Sequence, residues 1–155
     1  MKLKKLQIQG YKNLKDITID FSNKNGTTLL VGNNGCGKSN ILEAISSIFG
    51  GLYNDRIHKP YFDYHLEYRI NDHDVDITLN SGKYVFSTDN HIVHKPVFTR
   101  KASIYLPTNI ISCYSGESSR LWDYYYYPYY KDYIKSIKSS TVIPQLQLIY
   151  INKFS

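Results

Sequence analysis

Eight consecutive residues in this sequence are of the types, at the spacing, that capture phosphate: Gly32-Asn33-Asn34-Gly35-Cys36-Gly37-Lys38-Ser39. Glycine at 32, 35 and 37 lets the backbone curl tightly, so that successive N–H groups converge on an anion with no Cβ in the way. Lys38 brings an ammonium suited to β- and γ-phosphates, and the Ser39 hydroxyl is a ligand for Mg²⁺. This is the P-loop pattern, and the chemistry it predicts is capture of a nucleoside triphosphate, ATP with Mg²⁺. A helix starting at the loop would aim its positive dipole end at the anion, worth about 0.3–2 kcal/mol.

A glycine-rich turn carries that meaning only between a strand and a helix. Thr28-Leu29-Leu30-Val31 is apolar without alternation, as expected of a central strand covered on both faces. After the loop, Ile41, Leu42, Ala44, Ile45, Ile48 and Phe49 recur at helical spacing, with Gly50-Gly51 as the expected stop. Upstream, Leu6 and Ile8 alternate with Gln7 and Gln9, and Ile17, Ile19 and Phe21 with Asp16, Thr18 and Asp20. These predict two strands joined by a turn at Gly10 to Asn13.

From Tyr61 the period is two. Phe62, Tyr64, Leu66, Tyr68 and Ile70, then Val75, Ile77 and Leu79, then Tyr84 to Phe86 predict an antiparallel meander with one wet face, turning at Asn71-Asp72 and Ser81-Gly82. The stretch from Asp89 to Pro107 has room for one more edge strand. Asn109 to Tyr114 reads as a buried strand, interrupted by Ser115-Gly116-Glu117. A tyrosine-rich, mainly helical segment then runs to about Lys138, broken or kinked at Pro128. Leu146 to Ile151 is strand-like.

The remaining chemistry-bearing residues suggest blander roles. The net charge of +6 and pI near 9.1 come from lysines spread along the chain, as on a solvated surface. No apolar run approaches the roughly 20 residues that cross a membrane. The N-terminus alternates Lys-Leu-Gln-Ile instead of opening a signal core, so a cytoplasmic protein is expected. Cys36 and Cys113 form no metal pattern and read as reduced thiols.

His58, His65, His73, His91 and His94 share no metal-ligand spacing on one element and read as surface or strand-face residues. Asp72, Asp74 and Asp76 lack the glycine and glutamate of a calcium loop. Tyr124 to Tyr130, with Lys131, Lys135 and Lys138, resembles a stacking platform for single-stranded nucleic acid. The rings are contiguous and not spaced along one face, which favours packing.

The opening Leu6-Gln7-Ile8-Gln9-Gly10-Tyr11-Lys12-Asn13-Leu14, two strands, then Val31 to Asn40 and Leu42-Glu43-Ala44-Ile45 resemble the N-terminal lobe of ABC-type ATPases. Within that class the sequence is similar to the SMC/RecF/OLD-like branch, often labelled AAA family ATPase. Asn40 and Leu42-Glu43-Ala44-Ile45 are more diagnostic of the branch than the P-loop alone. Leu106-Pro107, Ile110 to Glu117 and Arg120-Leu121 resemble a segment of bacterial defence-associated members, near a glutamine-containing coupling loop; no glutamine stands there.

The resemblance implies an α/β P-loop NTPase fold: an ABC-ATPase N-lobe with mixed sheet, antiparallel meander and C-terminal helical segment. One partial ATPase domain, 1–155, would hold strands, P-loop and first helix over 1–50, the meander and a strand over 61–114, and a lid segment over 115–155. The resemblance also implies that Asn34 to Asn40 embrace the phosphates, with Lys12 and Asn13 near the adenosine or phosphate edge. Such ATPases act in DNA repair or anti-phage defence, usually as dimers that sandwich ATP, so a homodimer and DNA are expected partners.

Two parts of such an enzyme are missing. A Walker B strand, four apolar residues and Asp-Glu, would hold Mg²⁺ and activate water. The best match, Leu146 to Ile151, is followed by Asn152-Lys153, so no residue is a catalytic base. The signature Leu-Ser-Gly-Gly-Gln/Glu is absent too. The chain is therefore expected to need a C-terminal half or partner chain for hydrolysis. A non-catalytic interaction module is the alternative. A self-contained P-loop kinase or GTPase fits less well, given the meander and the lack of Asn-Lys-x-Asp.

Overall fold

The structure, a computed structural model, describes residues 1–22, 27–114, 119–139, 141 and 144–152. Strand β1 (Lys2–Tyr11) turns through Lys12 and Asn13 into β2 (Leu14–Asp20), pairing Leu6 with Ile19 and Ile8 with Ile17. The other edge of β1 receives β3 (Asp63–Ile70), which continues into β4 (His73–Asn80), β5 (Lys83–Thr88) and β6 (His91–Val93). The six strands form one antiparallel sheet in the order β2-β1-β3-β4-β5-β6.

Three of its hairpins use two-residue turns, Asn71-Asp72, Ser81-Gly82 and Asp89-Asn90, in which both residues have positive φ. That backbone matches the twist of the flanking strands and suits Asn, Asp and Gly, whose side chains tolerate it. Period-two alternation then sorts the faces. Leu6, Ile8, Tyr64, Leu66, Tyr68, Val75, Ile77 and Leu79 are buried, whereas Gln7, His65, Glu67, Asp76 and Thr78 are half-buried on the other side.

The chain packs as two compact units. Unit one holds residues 1–44 and 60–107, and so contains this sheet, the P-loop and the start of helix α1 (Lys38–Tyr53). β6 is the edge strand expected between Asp89 and Pro107, and the rest of that stretch forms two short helices, α2 (Lys95–Arg100) and α3 (Ala102–Tyr105). Pro96 sits in the first turn of α2, where its missing N–H costs nothing. Phe86, Phe98 and Tyr105 stack at 4.5 and 5.5 Å between centroids, and Tyr68 Oη donates to Tyr105 O at 2.8 Å, fixing both helices on the buried face.

Unit two holds residues 45–59 and 108–155. Strands β7 (Ile110–Tyr114) and β8 (Leu148–Asn152) pair in parallel, Ile110 with Leu148 and Cys113 with Ile151. The expected mixture of antiparallel and parallel pairing is thus divided over two sheets. β7 is a strand as expected but not a buried one, since Ile111 is 58% exposed. Ser115-Gly116-Glu117, read as an interruption, lies outside the described residues.

The tyrosine-rich segment begins with a π-helical turn, Trp122–Tyr126, and continues as α4 (Tyr127–Ser139). The change of pitch falls just before Pro128, which has no N–H to donate backwards. Tyr125, Tyr126 and Tyr129 are buried, and Tyr126 Oη shares hydrogen bonds with Ser46 Oγ (3.1 Å) and Ser112 Oγ (2.5 Å). Packing, not an open stacking platform, occupies these three rings.

Two expectations fail. Gly50-Gly51 does not stop α1, which runs on to Tyr53. Gly50 serves close approach instead: a Cβ there would lie 2.8 Å from Tyr129 Oη and 3.1 Å from its ring carbons. Thr28 to Val31 is not a strand either, and Leu29 and Val31 are 82% and 83% exposed. A central strand needs neighbours on both edges, and no described strand pairs with this segment. No described helix is long and apolar enough to cross a membrane.

Unit two carries a pH dependence. His58 Nε2 shares a 2.7 Å hydrogen bond with Ser47 Oγ, its ring lies edge-on to Tyr125, and burial holds its pKa below the ordinary 6.5. Above that value the ring is neutral in folded and unfolded chains alike. As pH falls through it, the unfolded chain takes the proton first, so stability drops. Urea denaturation at about pH 7.5 and about pH 5 should show a larger loss for the native chain than for His58→Gln, which keeps a hydrogen-bonding amide but cannot titrate. Equal losses would remove His58 as the cause.

Candidate functional site

The site is built where the β1–β2 turn meets the loop before α1. At that turn the backbone runs through positive φ at Gly10 (76°) and Lys12 (51°), which brings Asn13 under the P-loop. Asn13 Nδ2 donates to Gly35 O at 3.0 Å, and Asn13 Oδ1 accepts from Asn40 Nδ2 at 2.7 Å. One amide therefore ties the loop to the first turn of the helix. The turn that periodicity reads as a strand connection, and that the resemblance places near the phosphate edge, is a clasp.

Above it the loop takes the shape its glycines allow. Gly35 and Gly37 have φ of +85° and +103°, in the region other residues avoid. Gly37 is buried as well, and a Cβ there would lie 2.8 Å from Leu14 Cδ2 and 3.1 Å from Asn13 Oδ1. Gly32 leaves room for Cys36, whose Sγ would lie 2.8 Å from a Cβ at 32. Asn33, Asn34 and the exposed Cys36 line the open side.

The first helical backbone bond is Ile41 N–H to Gly37 O, at 3.0 Å. The N–H groups of Lys38, Ser39 and Asn40 therefore stand at the helix end, where intrahelical acceptors run out. Lys38 folds its ammonium back onto Gly32 O and onto Asn33 O (2.9 Å), spanning the loop. Ser39 and Asn40 are half-buried beside it.

Charge favours an anion. From Thr27 to Leu42 there is no acidic side chain, and the first acid, Glu43, is 3% exposed and already engaged. Glu43 Oε2 accepts from Tyr11 Oη at 3.2 Å and from Lys12 Nζ. Lys12, expected near the phosphate edge, thus sends its ammonium to this carboxylate, while Asn13 reaches the loop. Glu43 is the residue that reading the sequence missed. Its signal was an acid between the buried Ile41 and Ala44.

With an ammonium, a row of helix-end N–H groups, a hydroxyl and a concave glycine backbone, the donor set fits a Mg²⁺-bound triphosphate. Lys38 and the loop amides would take phosphate oxygens, and Ser39 would take the metal.

The family profile of the AAA ATPase domain matches residues 1–154. Curated relatives match over parts of the chain. A probable ATPase of retron Ec83 from Escherichia coli is 52% identical over 40 residues, 26% of this chain. A chromosome partition protein Smc from Halobacteriovorax marinus is 55% identical over 51 residues, 32% of the chain. The DNA double-strand break repair Rad50 ATPase of Archaeoglobus fulgidus is 35% identical over 99 residues, 59% of the chain. These stretches span 7%, 4% and 11% of the three relatives. With a family match running over nearly its whole length, the chain belongs to the AAA ATPase domain family.

Proposed function

We propose that this chain is the triphosphate-binding lobe of an SMC/Rad50-like ATPase, holding ATP with Mg²⁺ on Gly32–Asn40. The observation that carries this is the clasped loop itself. Asn13 ties Gly35 to Asn40, and Lys38 spans the loop, whose sequence from Thr27 to Leu42 carries no acidic side chain. Calorimetric titration of Mg-ATP into the native chain and Lys38→Ala tests it, and equal binding in both would remove Lys38 and its loop from the site.

Binding is not turnover in this reading. The dipeptide Asp-Glu occurs nowhere in the sequence, so the general base comes from a C-terminal half or partner chain. The exposed apolar side chains of Leu29 and Val31 support such completion, because further polypeptide packed against them would bury them. A polypeptide bearing the Walker B strand, mixed with this chain, is expected to raise ATP hydrolysis from background to a saturable rate that Lys38→Ala removes. A rate unchanged by mixing would favour the non-catalytic interaction module.

The working form is a dimer with ATP between two lobes, acting on DNA in repair or in anti-phage defence, in the cytoplasm. The similarity to Smc, Rad50 and a retron ATPase supports that range of roles.

A further inference from the structure

The wet face of the antiparallel sheet gathers three ligand-type side chains that no single element of the sequence contains. His65 and Glu67 are two apart on β3 and so project to the same side. Register places Asp76 of β4 directly opposite Glu67. His65 Nε2 lies 2.8 Å from Asp76 Oδ2 and 3.6 Å from Glu67 Oε1, and the three ligand atoms all fall within 4.8 Å of one another. All three side chains are half-buried, open enough for an ion to enter.

We propose that His65, Glu67 and Asp76 form a divalent transition-metal site, with Zn²⁺ as the ion it takes. Ligands at about 2.0–2.1 Å around one tetrahedral ion stand roughly 3.3 Å apart, and the two imidazole distances straddle that value. One imidazole with two carboxylates is a donor set for this class of metal, with hard and borderline ligands together.

Electrostatics adds a second argument. Glu67 and Asp76 are like charges in directly opposed positions, an arrangement that destabilises a strand pair. Among the described residues, Lys5 is the ammonium beside them, its Nζ 3.9 Å from Glu67 Oε1 on an exposed side chain. A divalent ion between the carboxylates would offset both charges at once. Next to His65 the same face carries a depression of about 180 Å³, lined by Gln7, Asp63, Thr78 and Asn80, with room for a water as fourth ligand. The ion would clip β3 to β4, away from the P-loop's own Mg²⁺ ligand.

The test uses the full chain with Cys36→Ser and Cys113→Ser, which removes the exposed thiols as rival ligands. Zn²⁺ is titrated by calorimetry, and Co²⁺ by its visible absorption. The expected result is one ion per chain, with affinity falling at least about tenfold in His65→Gln and in Asp76→Asn, a loss that even outer-shell partners can cause. Lys38→Ala should bind Zn²⁺ as before, which separates this site from the nucleotide. His73→Gln should do the same: His73 pairs with Asp89 at 2.6 Å on this sheet, without a third ligand among the described residues.

Melting with and without Zn²⁺ guards against a merely misfolded variant. The ion should raise the Tm of the native pattern and leave that of Asp76→Asn unmoved. Undiminished affinity in His65→Gln and Asp76→Asn, or no stoichiometric binding, would leave a surface ion-pair ladder only and overturn the proposal.

Discussion

Replacing Lys38 with alanine is expected to weaken Mg-ATP binding at least about a hundredfold while leaving the fold intact. The ammonium would make two charge-assisted hydrogen bonds to phosphate oxygens, each worth about 1.5–3 kcal/mol. Their loss, roughly 3–4 kcal/mol after partial replacement by water, converts to a factor between about 10² and 10³. Within the chain Lys38 bonds to Gly32 O, Asn33 O and, at 3.7 Å, Cys36 Sγ, acceptors on the exposed loop that water can serve equally well. The stability change should therefore be small, about 1 kcal/mol or less. Calorimetry reads the first quantity and urea denaturation the second. A variant that binds within threefold of the native chain, a difference of about 0.65 kcal/mol, would refute the assignment.

How much of this was legible beforehand follows from the range of the interactions. Period-two alternation is local, so β3, β4 and β5, and their turns at Asn71-Asp72 and Ser81-Gly82, could be read directly. The P-loop was legible because its glycines and lysine are contiguous. The Asn13 clasp was not, because it joins positions 13, 35 and 40 through a turn whose geometry depends on positive φ at Gly10 and Lys12. Glu43 was read only as part of a family pattern, since its partner Lys12 lies 31 residues away. The trio on the wet face needed the β3–β4 register, which no one-element spacing reveals. Thr28 to Val31 erred for the opposite reason. Its apolar run is a sound strand signal, but strand formation also requires partners, and the described residues supply none.

Gly37 joins the loop's shape to the fold's stability, and Gly37→Ala is expected to destabilise unit one by about 3 kcal/mol. Two costs combine. Holding alanine at φ of +103° costs about 1–3 kcal/mol. The new methyl also meets Leu14 Cδ2 at 2.8 Å and Asn13 Oδ1 at 3.1 Å, and such overpacking costs about 1–3 kcal/mol. Leu14 is 4% exposed and cannot retreat into solvent, so Asn13 must yield, loosening its bonds to Gly35 O and Asn40 Nδ2. Nucleotide affinity should fall with the clasp. Gly35→Ala is the control, because φ there is also positive (+85°) but nothing lies within 4 Å of the added carbon. It should lose the backbone cost alone. Combining Gly37→Ala with Leu14→Ala makes room for the methyl, so the double variant should be more stable than the sum of its parts implies. Urea denaturation of the four variants separates strain from crowding. If Gly37→Ala and Gly35→Ala are equally stable, or Leu14→Ala gives no relief, then the contact with Leu14 is not what reserves position 37 for glycine.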